Sequence, residues 1–139
     1  MYCLMNDELA TKMTMISEQD VSRVFLFRDQ TYPGRCVVAT KDHYREIFEI
    51  PPAVCRTFFE EVRQVARALH ELFAPDKLNY AIYGDLQSHF HVHIVPKTAD
   101  GPAWGNPFVL LSDPVVELGA EQKQERIDLI RRELAAGRV

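Results

Sequence analysis

Residues 88–97 read SHFHVHIVPK and place His89, His91 and His93 at alternate positions. Imidazole titrates near neutrality, so at pH 7 it can offer a lone pair, donate a proton or bind a metal. On a strand, alternate side chains share one face, and the three rings would stand in a row about 7 Å apart. Phe90, Val92 and Ile94 would then face the other way, into a core. Three readings fit this pattern. A half-exposed strand can carry histidine simply as a polar residue. A His-x-His pair can bind zinc or iron, but such sites need further ligands. The two other histidines, His43 and His70, fall on helical segments, and no HExxH-type companion occurs. Finally, an imidazole can attack phosphorus to give a covalent phosphoramidate, with flanking rings donating hydrogen bonds to the charge that develops.

The elements that must carry these rings can be read around them. Residues 11–17 alternate and suit a short strand. Residues 22–29, SRVFLFRD, are rich in β formers and suit a largely buried strand. The Pro-Gly of TYPGR turns the chain, and residues 36–40, CVVAT, return as the second arm of a hairpin. Asp42 is placed to cap a short helix over HYREIFEI that ends before Pro51-Pro52. Val54, Phe58, Val62, Val65, Leu69 and Phe73 recur in steps of three or four, one stripe on a long helix with Pro52 in its first turn. Residues 78–85 read as a strand, joined by a short loop to an antiparallel neighbour that bears the histidines. Residues 98–114 are irregular and rich in Gly and Pro. A last helix near residues 121–136 carries the narrower stripe Ile127, Ile130 and Leu134. The expected class is α+β: an antiparallel sheet of about five strands, with the long helix and the C-terminal helix on one face.

Bulk properties narrow the function classes. The chain has 139 residues and a net charge of -4, read as one domain over 1–139. No basic run offers a grip on nucleic acid. Cys3, Cys36 and Cys55 are odd in number and lack CxxC spacing, which argues against a disulfide framework and for reduced thiols. No signal peptide and no apolar run long enough for a membrane span appear, so a cytoplasmic protein is expected.

The segment HFHVHIV fits His-φ-His-φ-His-φ-φ, with φ apolar, at all seven positions from His89 to Val95. This motif resembles the signature of the histidine-triad (HIT) superfamily. FRDQTYPGRCVVATKDH is similar to that family's nucleoside-binding hairpin, and YGDLQSHFHVHIVP to its strand–loop–strand before the triad. Together these segments cover most of residues 22–97.

The resemblance implies a HIT-like fold and an enzyme: a nucleotide hydrolase or nucleotidyl transferase. His91, the middle histidine, would attack the α-phosphorus and form a nucleotidyl-histidine. A backbone carbonyl would fix its tautomer, and His89 and His93 would support phosphate and leaving-group contacts. Substrates would be nucleoside phosphoramidates, nucleotidyl adducts or dinucleoside polyphosphates, with no metal or other cofactor. Phe27 would line the base site and Asp29 bind the ribose hydroxyls, although an aromatic here also suits the core and an aspartate also suits a turn. Arg35 stands where many members carry a fourth histidine; it suits bidentate phosphate contact or a solvated strand start. In GDLQS, Asp85 and Leu86 replace a phosphate-contacting Gln-Ser or Gln-Thr, with Gln87 and Ser88 adjacent. Trp104 lies where one branch places a tryptophan that reaches across a homodimer into the partner's site; it also suits a loop anchor. Cys3 alone remains of a CxxC zinc element, so no structural zinc is expected. The alternative is a nucleotide-binding module of the same fold with weak or no catalysis, and less readily a metal-dependent hydrolase.

Overall fold

The structure, a computed structural model, describes residues 13–137. Cys3 and the loose start expected for residues 1–10 lie outside them. The β formers of the amino-terminal half make three strands: β1 (Met13–Glu18), β2 (Ser22–Phe27) and β3 (Cys36–Thr40). The helix α1 follows at Pro52–Phe73, then β4 (Lys77–Ala81), β5 (His91–Lys97) and α2 (Ala120–Ala136). The strands form one antiparallel sheet in the order β1-β2-β3-β5-β4. The α+β class, the five strands and the hairpin joining β2 to β3 are as the sequence led us to expect.

Both helices pack on one face because both carry a single apolar stripe. Phe58, Val62, Val65 and Leu69 of α1 and Ile127, Ile130 and Leu134 of α2 meet Val24, Leu26, Cys36, Val38, Val92 and Ile94 of the sheet. Each such side chain contributes roughly 1.5–3 kcal/mol on burial. A bulge between Met15 and Ser17 shifts the β1–β2 register at Ile16, whose side chain joins this core. The carbonyl of Ile16 accepts a hydrogen bond from Arg131 Nε of α2 at 2.8 Å, which ties the bulge to the helix. Glu61 is a charged residue inside the α1 face, and its carboxylate accepts from Asp20 N, Val21 N and Ser22 Oγ in the β1–β2 turn. A carboxylate so buried is stable because donors surround it.

Two expectations are corrected. No α-helix forms over residues 43–50: only one 3-10 turn does, Ile47–Glu49, held by a reciprocal capping box between Glu46 and Glu49. The second sheet face, which bears the histidines, is itself packed. Met13, Phe25, Val37 and Ala39 are buried on it, and Tyr32, Val95 and Phe108 form a further buried cluster. The histidine row is also shorter than strand periodicity suggests. β5 begins at His91, and His89 sits in the bend before it. Regular pairing stops because β3 ends at Thr40: Phe90 O accepts from Thr40 N, but Phe90 N donates to Tyr44 O, four residues further on. Among the described residues no helix is long and apolar enough to cross a membrane.

Candidate active site

The pairing of β3 with β5 sets Ala39 opposite His91 and Val37 opposite His93. It also sets Thr40, the last residue of β3, and residues 41–44 beyond it against residues 89 and 90. His91 and His93 share the sheet face opposite the helices, with ring centroids 5.2 Å apart. They retain 3% and 5% of their surface, and His89 retains none.

Hydrogen-bond partners assign the tautomer of each ring, because carbonyl oxygens only accept and guanidinium groups only donate. His91 Nδ1 lies 2.8 Å from the carbonyl of His89, so Nδ1 carries the proton and Nε2 carries the lone pair. His89 Nε2 lies 2.7 Å from the carbonyl of Thr40 and therefore donates. Its Nδ1 then accepts from His43 Nδ1, 3.0 Å away. His93 Nδ1 faces Arg35 Nη2 at 3.4 Å and accepts, which leaves its proton on Nε2. Burial lowers the pKa of all three below the ordinary imidazole range, so each is neutral at pH 7. For His93 the Arg35 charge adds to burial, and its pKa falls to about 3.

Arg35 is neither a solvated residue nor an open phosphate contact; it is wholly buried. The Tyr32–Arg35 turn delivers it inward. Pro33 and a Gly34 at φ +92° suit a type II turn, which Arg35 N closes on Tyr32 O at 3.1 Å. A side chain at Gly34 would also meet the Phe73 ring of α1 at 2.6 Å. The guanidinium lies 4.0 Å from the Phe27 ring centroid and 4.9 Å from that of Phe108. Nη1 donates to Val109 O at 3.3 Å, while Nε has no hydrogen-bond partner among the described residues. Desolvation lowers its pKa to about 10, against the favourable charge of Asp29, so it remains a cation at neutrality.

Asp29 is equally enclosed. One oxygen accepts from Thr31 N, Thr31 Oγ1 and Val116 N, and the other from Ser112 N at 2.7 Å. Burial raises its pKa, but these donors outweigh burial and hold the carboxyl below its usual range. Here Asp29 latches residues 112–116 onto the hairpin. A ribose could reach it only by displacing those donors.

Phe27 packs its ring edge on His93 at 5.9 Å and lines a cavity of about 290 Å³ with Met13, Arg28 and Lys123. On the other side, Tyr83 leans on His93 at 5.9 Å and lines a cavity of about 570 Å³ with Asp85, Ser88 and Phe90. Asp85 is exposed there, and Gln87 and Ser88 are half-buried. Trp104 is 43% exposed and makes no ring contact with the histidine cluster among the described residues. Its loop is fastened by the buried Lys97, whose Nζ donates to Ala103 O and Asn106 O.

Sequence reasoning missed His43, Tyr83, Phe108 and Gln30. Gln30 braces the turn through Gly34 N, Phe27 O and Arg35 O. His43 was readable only from the β3–β5 pairing, which no local pattern announces. Among the described residues no group of three or more His, Cys, Asp or Glu could hold a metal ion.

Comparison with known proteins agrees with this geometry. A Bacillus subtilis protein named Protein hit is 27% identical over 95 residues, which is 65% of this chain and 66% of that protein. A histidine triad protein from Bradyrhizobium japonicum superposes with a TM-score of 0.84 at 26% identity, over 94% of this chain and 97% of that one. Another from Marinobacter aquaeolei gives 0.86 at 25% identity, covering 96% of each. The HIT domain family model matches residues 8–100, and the chain belongs to the HIT family, within the histidine-triad superfamily that contains nucleotide hydrolases and transferases.

Proposed function

We propose that this chain is a nucleotide hydrolase or nucleotidyl transferase acting at the α-phosphate through a covalent intermediate on His91. The observation that carries this reading is the 2.8 Å contact between His91 Nδ1 and the His89 carbonyl, which puts the lone pair on Nε2. Burial keeps that imidazole neutral, hence nucleophilic, at pH 7. Nε2 attacks the α-phosphorus, and the leaving group departs with the P–N or P–O bonding pair and gains a proton. Water then attacks the phosphorus and loses a proton, the N–P bond breaks, and nucleoside monophosphate leaves with Nε2 restored. His93 Nε2–H is placed to donate to a phosphoryl oxygen as charge builds. His89 acts from behind, through its carbonyl.

Nucleoside phosphoramidates, nucleotidyl adducts and dinucleoside polyphosphates all present such a phosphorus. The cavity beside Phe27 would take the base, and the one lined by Asp85 and Ser88 the phosphate or leaving side. This chemistry uses no metal or other cofactor. A homodimer is part of the proposal: β4 is a sheet edge, and Tyr80 on it and Ile82 just past it are about half exposed, a surface suited to pairing with a second copy.

A second reading, a nucleotide-binding module with weak or no catalysis, is favoured by two observations. Arg35 is sealed away from solvent, and the Asp85 carboxylate lines the phosphate-side cavity, where it would repel a phosphate. Rapid-quench mass spectrometry with an adenosine phosphoramidate separates the two. A nucleotidyl adduct that maps to His91 and vanishes in His91→Ala, with binding retained, is the expected result. Binding without an adduct would select the module. Loss of turnover in EDTA would point to metal-dependent hydrolysis.

A further inference from the structure

We propose that Arg35 is a positioning residue that locks His93 in the Nε2–H tautomer and thereby makes it a standing hydrogen-bond donor beside His91. Arginine has no acceptor, so its contact with His93 Nδ1 admits only one assignment of the ring proton. The guanidinium cannot readily swing away, because Phe27 and Phe108 hold it from two sides and Val109 O takes Nη1.

The groups facing His93 are Arg35 at the start of β3, His91 on its own strand, Tyr83 before β5, and the rings of Phe27 and Phe108. Among the described residues no carboxylate faces the ring, and the fixed cation opposes an imidazolium. The result is a pair of rings two residues apart on one strand with opposite wiring. A backbone carbonyl turns the lone pair of His91 outward on Nε2. A side-chain cation turns the proton of His93 outward on Nε2. A fourth histidine at position 35 could switch between donor and acceptor; Arg35 cannot. It follows that His93 donates a hydrogen bond to phosphate throughout the cycle and does not shuttle a proton on Nδ1.

The catalytic meaning of this wiring rests on the reading of His91 as nucleophile, but its test is made on the resting protein and needs no turnover. The protein is labelled with 15N-histidine, and long-range 1H–15N correlation spectra are recorded between pH 5 and 8. His93 is assigned by its loss in His93→Gln. Wild type should show a neutral Nε2–H pattern for His93 at every pH. Arg35→Gln keeps a neutral donor and should retain that tautomer. Arg35→Met removes both donor and charge, and should give mixed tautomers in the same pH range. A wild-type His93 with its proton on Nδ1, or one that titrates near its ordinary value, overturns the proposal even if neither variant folds. So does an Arg35→Met spectrum that matches wild type. If the spectra agree but no adduct forms on His91, the tautomer lock stands and the catalytic reading fails.

Discussion

Acidification from pH 7 to pH 5 tests the burial of His93 as a matter of stability. In the unfolded chain this imidazole has its ordinary pKa of 6.5, whereas in the folded protein it falls to about 3. Below 6.5 the unfolded state therefore binds a proton that the native state refuses. The unfolded state gains with each step of acid, so the stability tied to this group is present above 6.5 and is lost as the pH falls toward 3. At pH 5 the unfolded imidazole is almost fully protonated and the native one almost not at all. The loss between pH 7 and pH 5 is about 2 kcal/mol, from about 1.4 kcal/mol for each pH unit of differential binding. Urea unfolding at several pH values measures it, with His93→Gln as the reference. Glutamine does not titrate, and the downward shifts of His89 and His91 are common to both proteins and cancel. Wild type should lose about 2 kcal/mol more than the variant over this range. If the two lose stability in parallel, His93 is not held neutral by its surroundings, and the argument from burial and Arg35 fails.

Asp29→Ala should destabilise the protein by about 3 kcal/mol or more, because it strands several inward-facing donors at once. Urea unfolding reads the loss, and limited proteolysis should find new cleavage within residues 109–117; an unchanged midpoint and digest would refute the latch. Sedimentation velocity across the micromolar range should show a two-copy mass that Tyr80→Lys shifts toward one copy, since a charge on a sheet edge opposes pairing. A wild-type protein that sediments as a single copy throughout would remove the dimer from the proposal.

The helices illustrate how far local pattern carries. Val54 to Phe73 repeats in steps of three and four, and α1 spans Pro52–Phe73 as that stripe requires. The same logic failed just upstream, at HYREIFEI. There Thr40 Oγ1 donates to Asp42 O and Tyr44 O takes Phe90 N, so contacts with the triad strand hold the chain out of a helix. The strand rule failed at His89 for the same reason: alternation continues only while a partner strand does, and β3 ends at Thr40.

Residue types and their spacing already name the atoms that could do chemistry. His91 and His93 share a face because strand side chains alternate, and Val92 and Ile94 face the helices for the same reason. What each ring is able to do depends on the partners that folding brings to it. The strand order sets β3 beside β5, across 50 residues of chain, and so brings His43 to His89 and Arg35 to His93. Protonation state and tautomer depend on which donor or acceptor lies within about 3.5 Å, and partners so distant in sequence leave no periodic trace. In the sequence Arg35 suits a phosphate contact or a solvated charge at the start of a strand. Folding closes Phe27 and Phe108 around it, and a buried cation that can only donate fixes the proton on its neighbour.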